Sequence, residues 1–67
     1  MSARKIVRVD YPDARAEKNI NADKDKIWSI IASNKQIAFG STENIAWMNA
    51  KNYVKNQFKR KIYAMYL

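Results

Sequence analysis

The chain has no cysteine and no histidine, and only one glycine and one proline among its 67 residues. Without cysteine, disulfides and thiolate metal sites are excluded, and no oxidising compartment is implied. Without histidine, the commonest metal ligand and the best proton carrier near neutrality are missing. One glycine cannot build a GxxxxGK or GxGxxG phosphate cradle. Acidic side chains are scarce: 6 stand against 13 Lys and Arg, for a net charge of +7 and an isoelectric point near 9.9. Long apolar runs are absent as well. No stretch approaches the roughly 20 residues of a membrane span, and the charged start, MSARKIVRVDYPDARAEK, lacks the apolar centre of a signal peptide. A soluble, cytoplasmic protein is expected.

What is present is enough hydrophobic content, 48%, for one small core. A chain of this length buries only about 60% of its unfolded surface, so one domain spanning residues 1–67 with marginal stability is expected. Residues 1–4 read as a flexible arm. Residues 5–11, KIVRVDY, alternate in the two-residue rhythm of a strand, with Val7, Val9 and Tyr11 toward a core. Pro12 ends that ladder, and residues 12–22 read as a loop or short helix.

From Asp23, a plausible N-cap, residues 23–38 carry Ile27, Ile30, Ile31, Asn34 and Ala38 at helical spacing. Gly40 follows where a left-handed helix end would need it. A competing reading makes QIAF a second strand paired with the first. Ser41 and Thr42 then open a helix over residues 42–66, whose stripe is Trp47, Ala50, Val54, Phe58, Ile62 and Met65. The expected fold is therefore mostly α (α+β): one short N-terminal strand, a helix, a glycine corner and a long C-terminal helix, forming a helical hairpin. Trp28, Trp47, Phe39 and Phe58 are assigned to its core. A lone strand leaves an edge unpaired, and a second copy of the chain would satisfy it, so a homodimer is expected.

Catalysis finds little support. The closest carboxylates on a predicted helix, Asp23 and Asp25, are two residues apart and do not face each other. A cap and a favourable charge at a helix start explain them, so no enzyme, cofactor or metal is expected. The basic residues say more. After Glu43 no acidic residue occurs, while Lys51, Lys55, Lys59, Arg60 and Lys61 follow within eleven positions. A solvated helix face usually mixes signs, and a like-charged ladder four residues apart repels itself. The helix dipole excuses Lys59, Arg60 and Lys61 near the C-terminus better than Lys51 and Lys55. With Arg4, Lys5 and Arg8 these residues form the candidate nucleic-acid contact set.

The order of strand, helix, glycine corner and helix resembles the ribbon-helix-helix DNA-binding proteins in pattern. KIVRVDYP, IWSIIASN and GSTENIAWMNA carry the likeness. Those proteins start their first helix straight after the strand, whereas Pro12 to Asp23 intervene here. Small size, basicity and abundant Lys, Asn, Ile and Tyr also resemble small phage-encoded proteins.

The leading expectation is a small basic non-enzymatic protein that binds nucleic acid, DNA first, through a Lys/Arg-rich helix face and an N-terminal arm. The alternative is a protein–protein interaction module, a small inhibitor, adaptor or assembly subunit. It would dock on an acidic partner through Tyr53, Tyr63, Met65, Tyr66 and Leu67, because IYAMYL is apolar around the whole helix. A helix lying on a membrane surface is the weakest alternative, since large apolar residues are scarce between Val54 and Ile62.

Overall fold

The computed structural model describes the backbone of residues 2–66 and the side chains of residues 2–57. Two helices and a three-stranded antiparallel sheet follow one another as α1 (Ala3–Asp10), β1 (Arg15–Lys18), a 3₁₀ turn (Lys24–Lys26), β2 (Trp28–Ala32), β3 (Lys35–Gly40) and α2 (Glu43–Tyr66). The expected helical hairpin with a single N-terminal strand is overturned by this α+β arrangement.

The first correction falls on residues 5–11. They belong to α1, not to a strand, and residues 3 and 4, expected in a flexible arm, join the helix. Ser2 caps it: its Oγ accepts the Lys5 backbone N–H at 3.3 Å. Val7 and Tyr11 lie four apart, a spacing that suits both a strand and a helix face. Ala3 adds the third member of a helical stripe, and Val9 is left outside it, 74% exposed. Tyr11, restricted by the proline that follows it, ends the helix with its N–H on the Val7 carbonyl at 2.9 Å. With no strand at residues 5–11, the lone-strand argument for a second copy no longer applies in that form; the strands with one neighbour are β1 and β3 of the sheet.

Pro12 occupies the second place of a turn closed by the Ala14 N–H on the Tyr11 carbonyl, 2.9 Å. The chain then enters β1, where a loop or short helix was expected. Asp13 ties this turn to the far hairpin by accepting the Ser33 N–H at 2.9 Å.

The second correction concerns residues 23–38. Asp23 does precede helical backbone, but without a side-chain cap bond, and only the 3₁₀ turn forms. Beyond it, aromatic and β-branched residues favour the pleated sheet over helix. β2 and β3 form a hairpin whose tip, Ser33 and Asn34, holds both φ angles positive, at 52° and 63°. That is the two-residue geometry whose twist matches flanking strands, usually marked by Asn-Gly. Here Ser and Asn supply it.

β2 is the central strand, with β1 and β3 at the edges. Ala16, Ile30 and Ala38 lie across from one another on the face covered by α2; Glu17, Ser29 and Phe39 lie on the other. Ile30 pairs with Ala38 but Ile31 with Gln36, so Ile37 is an extra residue on β3. This bulge lets the consecutive Ile37 and Ala38 both be buried. It also turns Phe39, expected in the core, to the uncovered face at 37% exposure.

The core holds Val7, Ala14, Ile30, Ala32, Ile37, Ala38, Ala46, Trp47, Ala50 and Val54. Half of these are alanine, so α2 and the sheet approach closely. Gly40 sits at the closest point. A Cβ there would stand 2.4 Å from the Ala46 backbone nitrogen, and its φ is not positive. The glycine is required by contact, not by the left-handed helix end expected for it. Asn49 fastens the same place, its Nδ2 donating to the Phe39 carbonyl at 2.7 Å. Thr42 caps α2, its Oγ1 accepting the Ile45 N–H at 3.2 Å. Among the described residues no helix is long and apolar enough to cross a membrane.

Candidate nucleic-acid interface

α1 packs on α2 through Ala3, Val7 and Tyr11. Two observations fix their relative direction. Ser2, Ala3 and Arg4 line a surface groove with Glu43, Asn44, Trp47 and Met48 at the start of α2. Eight residues beyond Ala3, the Tyr11 hydroxyl donates to Gln57 Oε1 at 2.7 Å. The helices therefore run side by side in the same direction.

This alignment decides which cations meet. On α2, Asn44, Met48, Lys51 and Lys55 follow at steps of four, three and four, which is one row along the helix. Arg4 faces the first two members of that row across the groove. Arg8, one turn beyond Arg4, lies at a level between those of Met48 and Gln57, the stretch of α2 that carries Lys51 and Lys55. Arg4, Lys5, Arg8 and Lys55 are exposed, while Lys51 keeps its stem half-buried. The fold thus brings two of the five α2 cations, Lys51 and Lys55, alongside the N-terminal cluster. Lys59, Arg60 and Lys61 continue α2, but their side chains lie outside the described residues.

Acidic groups do little to neutralise this seam. Among the described residues the one ion pair is Arg15 with Glu17, 3.1 Å apart on β1. Glu43 lies at the mouth of the groove, where its Oε2 accepts the Trp47 indole N–H at 3.1 Å. Asp10 is exposed at the end of α1. The remaining four carboxylates, Asp13, Glu17, Asp23 and Asp25, belong to β1 and its adjoining turns. Counted by element, the two helices carry eight cations and two carboxylates, +6, and residues 11–42 carry five and four, +1. Nearly all of the net charge resides on the helices.

The candidate partner anchors fare differently. Tyr53 is half-buried and engaged within the chain: its hydroxyl accepts the Gln57 Nε2–H at 2.8 Å, extending the bond from Tyr11. The side chains of Tyr63, Met65 and Tyr66, and all of Leu67, lie outside the described residues. Exposed apolar groups occur elsewhere on α2, at Ile45 (45%) and Met48 (50%). Val9, like Phe39, is expected in the core and found exposed. Its two-residue offset from Val7 puts it on the core side of a strand but on the far side of a helix. Two further cations lie near aromatic rings: Lys18 Nζ is 5.8 Å from the centre of Trp28, and Lys26 Nζ is 5.8 Å from that of Phe39.

Compared with protein-family models, curated proteins and solved structures, the chain has no significant match. Functional argument rests on the geometry.

Proposed function

We infer that the protein is a non-enzymatic nucleic-acid-binding module whose contact surface is the seam between α1 and α2. The feature that supports this reading is the placement of Arg4 and Arg8 on a helix that runs parallel to the stretch of α2 carrying Lys51 and Lys55; among the described residues none of the four is salt-bridged to a carboxylate. A solvated surface gains nothing from such a row, whereas a polyphosphate backbone would be held by it through release of its counterions. Lys5, exposed beside Arg4 and Arg8, makes five cations. The salt dependence measures how many of them act. Each phosphate contact on duplex DNA contributes about −0.9 to the slope of log affinity against log salt, so three contacts give about −2.7 and all five about −4.5. Fluorescence anisotropy between about 50 and 200 mM salt should show it, and Lys51→Ala and Lys55→Ala should each reduce the slope by about one. Absence of binding to duplex and single-stranded nucleic acid at about 50 mM salt refutes the reading.

A second reading, docking on an acidic protein, is favoured by Ile45 and Met48, two exposed apolar residues on the outward side of α2. A pull-down with and without nuclease separates the two. A partner protein that survives digestion supports docking, and loss of all co-purifying material supports nucleic-acid binding.

A further inference from the structure

We propose that α1 is a recognition helix that enters the major groove of B-form duplex DNA, with Lys5, Arg8 and Val9 toward the base edges and Arg4, Lys51 and Lys55 on the phosphates. This rests on the nucleic-acid reading above and names its substrate.

The placement of α1 carries the argument. It is an outlying element: α2 is its packing partner, Val7 is its one fully buried residue, and its remaining faces meet solvent. Eight residues give a rod about 12 Å long, and a helix with side chains is about 10–12 Å across. The major groove of B-DNA is about 12 Å wide and admits such a rod. In A-form RNA the corresponding groove is too deep and narrow for side chains to read.

The side chains divide around the rod. With Ala3, Val7 and Tyr11 on α2, Lys5 and Val9 occupy the outermost line and Arg8 the adjoining flank. Lys5, Arg8 and Val9 border one surface groove with Ser2 and Arg4. Arg and Lys are the residues that address the O6 and N7 acceptors of guanine, and an apolar side chain meets the thymine methyl. Val9 is the telling member. An exposed valine, with Arg8 before it and Lys5 one turn back but Asp10 directly after it, has no packing role in this fold, and helix propensity does not favour it. A major groove supplies it with an apolar partner. Arg4, Lys51 and Lys55 stand back along the seam, where the flanking phosphates of an inserted duplex would pass.

The test uses the full chain and a randomised 20-base-pair DNA pool, selected for bound sequences, with the best site then remade as duplex RNA. A preferred site bound at least about tenfold tighter as DNA than as RNA is expected. Arg8→Ala should reduce discrimination at one base pair by about tenfold to a hundredfold, and 7-deazaguanine at that position should do the same. Lys55→Ala should weaken all sequences alike. Both are exposed positions, and an unchanged thermal melt confirms that each variant folds. Equal binding of DNA and RNA duplexes overturns the proposal, as does an Arg8→Ala profile matching that of Lys55→Ala, while leaving phosphate binding intact. Failure to bind any nucleic acid overturns the functional reading beneath it.

Discussion

Gly40→Ala tests the central packing claim, because two explanations of this glycine lead to opposite results. Were Gly40 a left-handed corner, asparagine would be the best replacement and alanine would cost about 1 kcal/mol. The structure instead puts three backbone atoms of α2 inside 3.0 Å of a Cβ: Ala46 nitrogen at 2.4 Å, and Ala46 Cα and the Ile45 carbonyl carbon at 2.9 Å. Backbone cannot rotate away as a side chain can, so the first turn of α2 must lift from β3. That lift strains the Asn49 bond to Phe39 and loosens Ala46 and Trp47, both buried. Overpacking of this kind costs about 1–3 kcal/mol, and backbone contact places the substitution near the upper end. A 67-residue domain has about 3–10 kcal/mol in total. At about 4–8 °C per kcal/mol, Gly40→Ala should lower the melting temperature by about 12–24 °C in a far-UV circular dichroism melt. Gly40→Asn should do worse. A Gly40→Asn protein as stable as the parent would refute the contact argument, and Gly40→Ala within about 0.5 kcal/mol of it would do so equally.

Two smaller perturbations probe the seam and the hairpin. Tyr11→Phe removes the donor to Gln57 and should cost about 1 kcal/mol; Gln57→Ala on top of it should add less than it does alone, and full additivity in urea titrations would dismiss the bonded chain from Tyr11 to Tyr53. Asn34→Val forces a β-branched residue to a φ of 63° and should cost about 1–2 kcal/mol, whereas Asn34→Gly should be tolerated; equal melting temperatures for the two would exclude the positive-φ turn.

How far the fold is legible depends on whether local and tertiary signals agree. At the start of α2 they do. Thr42 reads as a cap and accepts the Ile45 N–H, and Trp47, Ala50 and Val54 recur at helical spacing and are buried. At residues 5–11 two periods coincide on Val7 and Tyr11, and the β-branched residues favour the strand. The helix prevails because Ser2 caps it and α2 offers an apolar face, and a lone sequence does not display that second fact. At residues 23–38 the error has another source. Ile30 and Ile31 belong to β2, Asn34 to a hairpin tip written Ser-Asn instead of Asn-Gly, and Ala38 follows the Ile37 bulge, so their helical spacing is an accident. The competing QIAF strand exists, but it pairs with β2, itself hidden in the expected helix.

The site depends on the same correction. On a strand, Arg4 and Arg8 would face one side and Lys5 the other, and one flat ladder could present only part of the cluster. On α1 all three lie on the solvent side, Arg4 and Arg8 exactly one helical step of four apart, and the stripe that buries Val7 turns them along α2. The sequence pattern that obscured the helix is therefore also the one that loads it. Ile6, Val7 and Val9 give α1 weak helix propensity, and eight residues are too few to hold a helix in water unaided. Its order is lent by the contact with α2, through Val7 and the Tyr11–Gln57 bond. Any ligand gripping Arg4 and Arg8 together with Lys51 and Lys55 spans both helices and strengthens that contact. Binding and the docking of α1 are thermodynamically linked, so a polyanion that uses this seam raises the stability of the whole chain in proportion to the logarithm of its concentration.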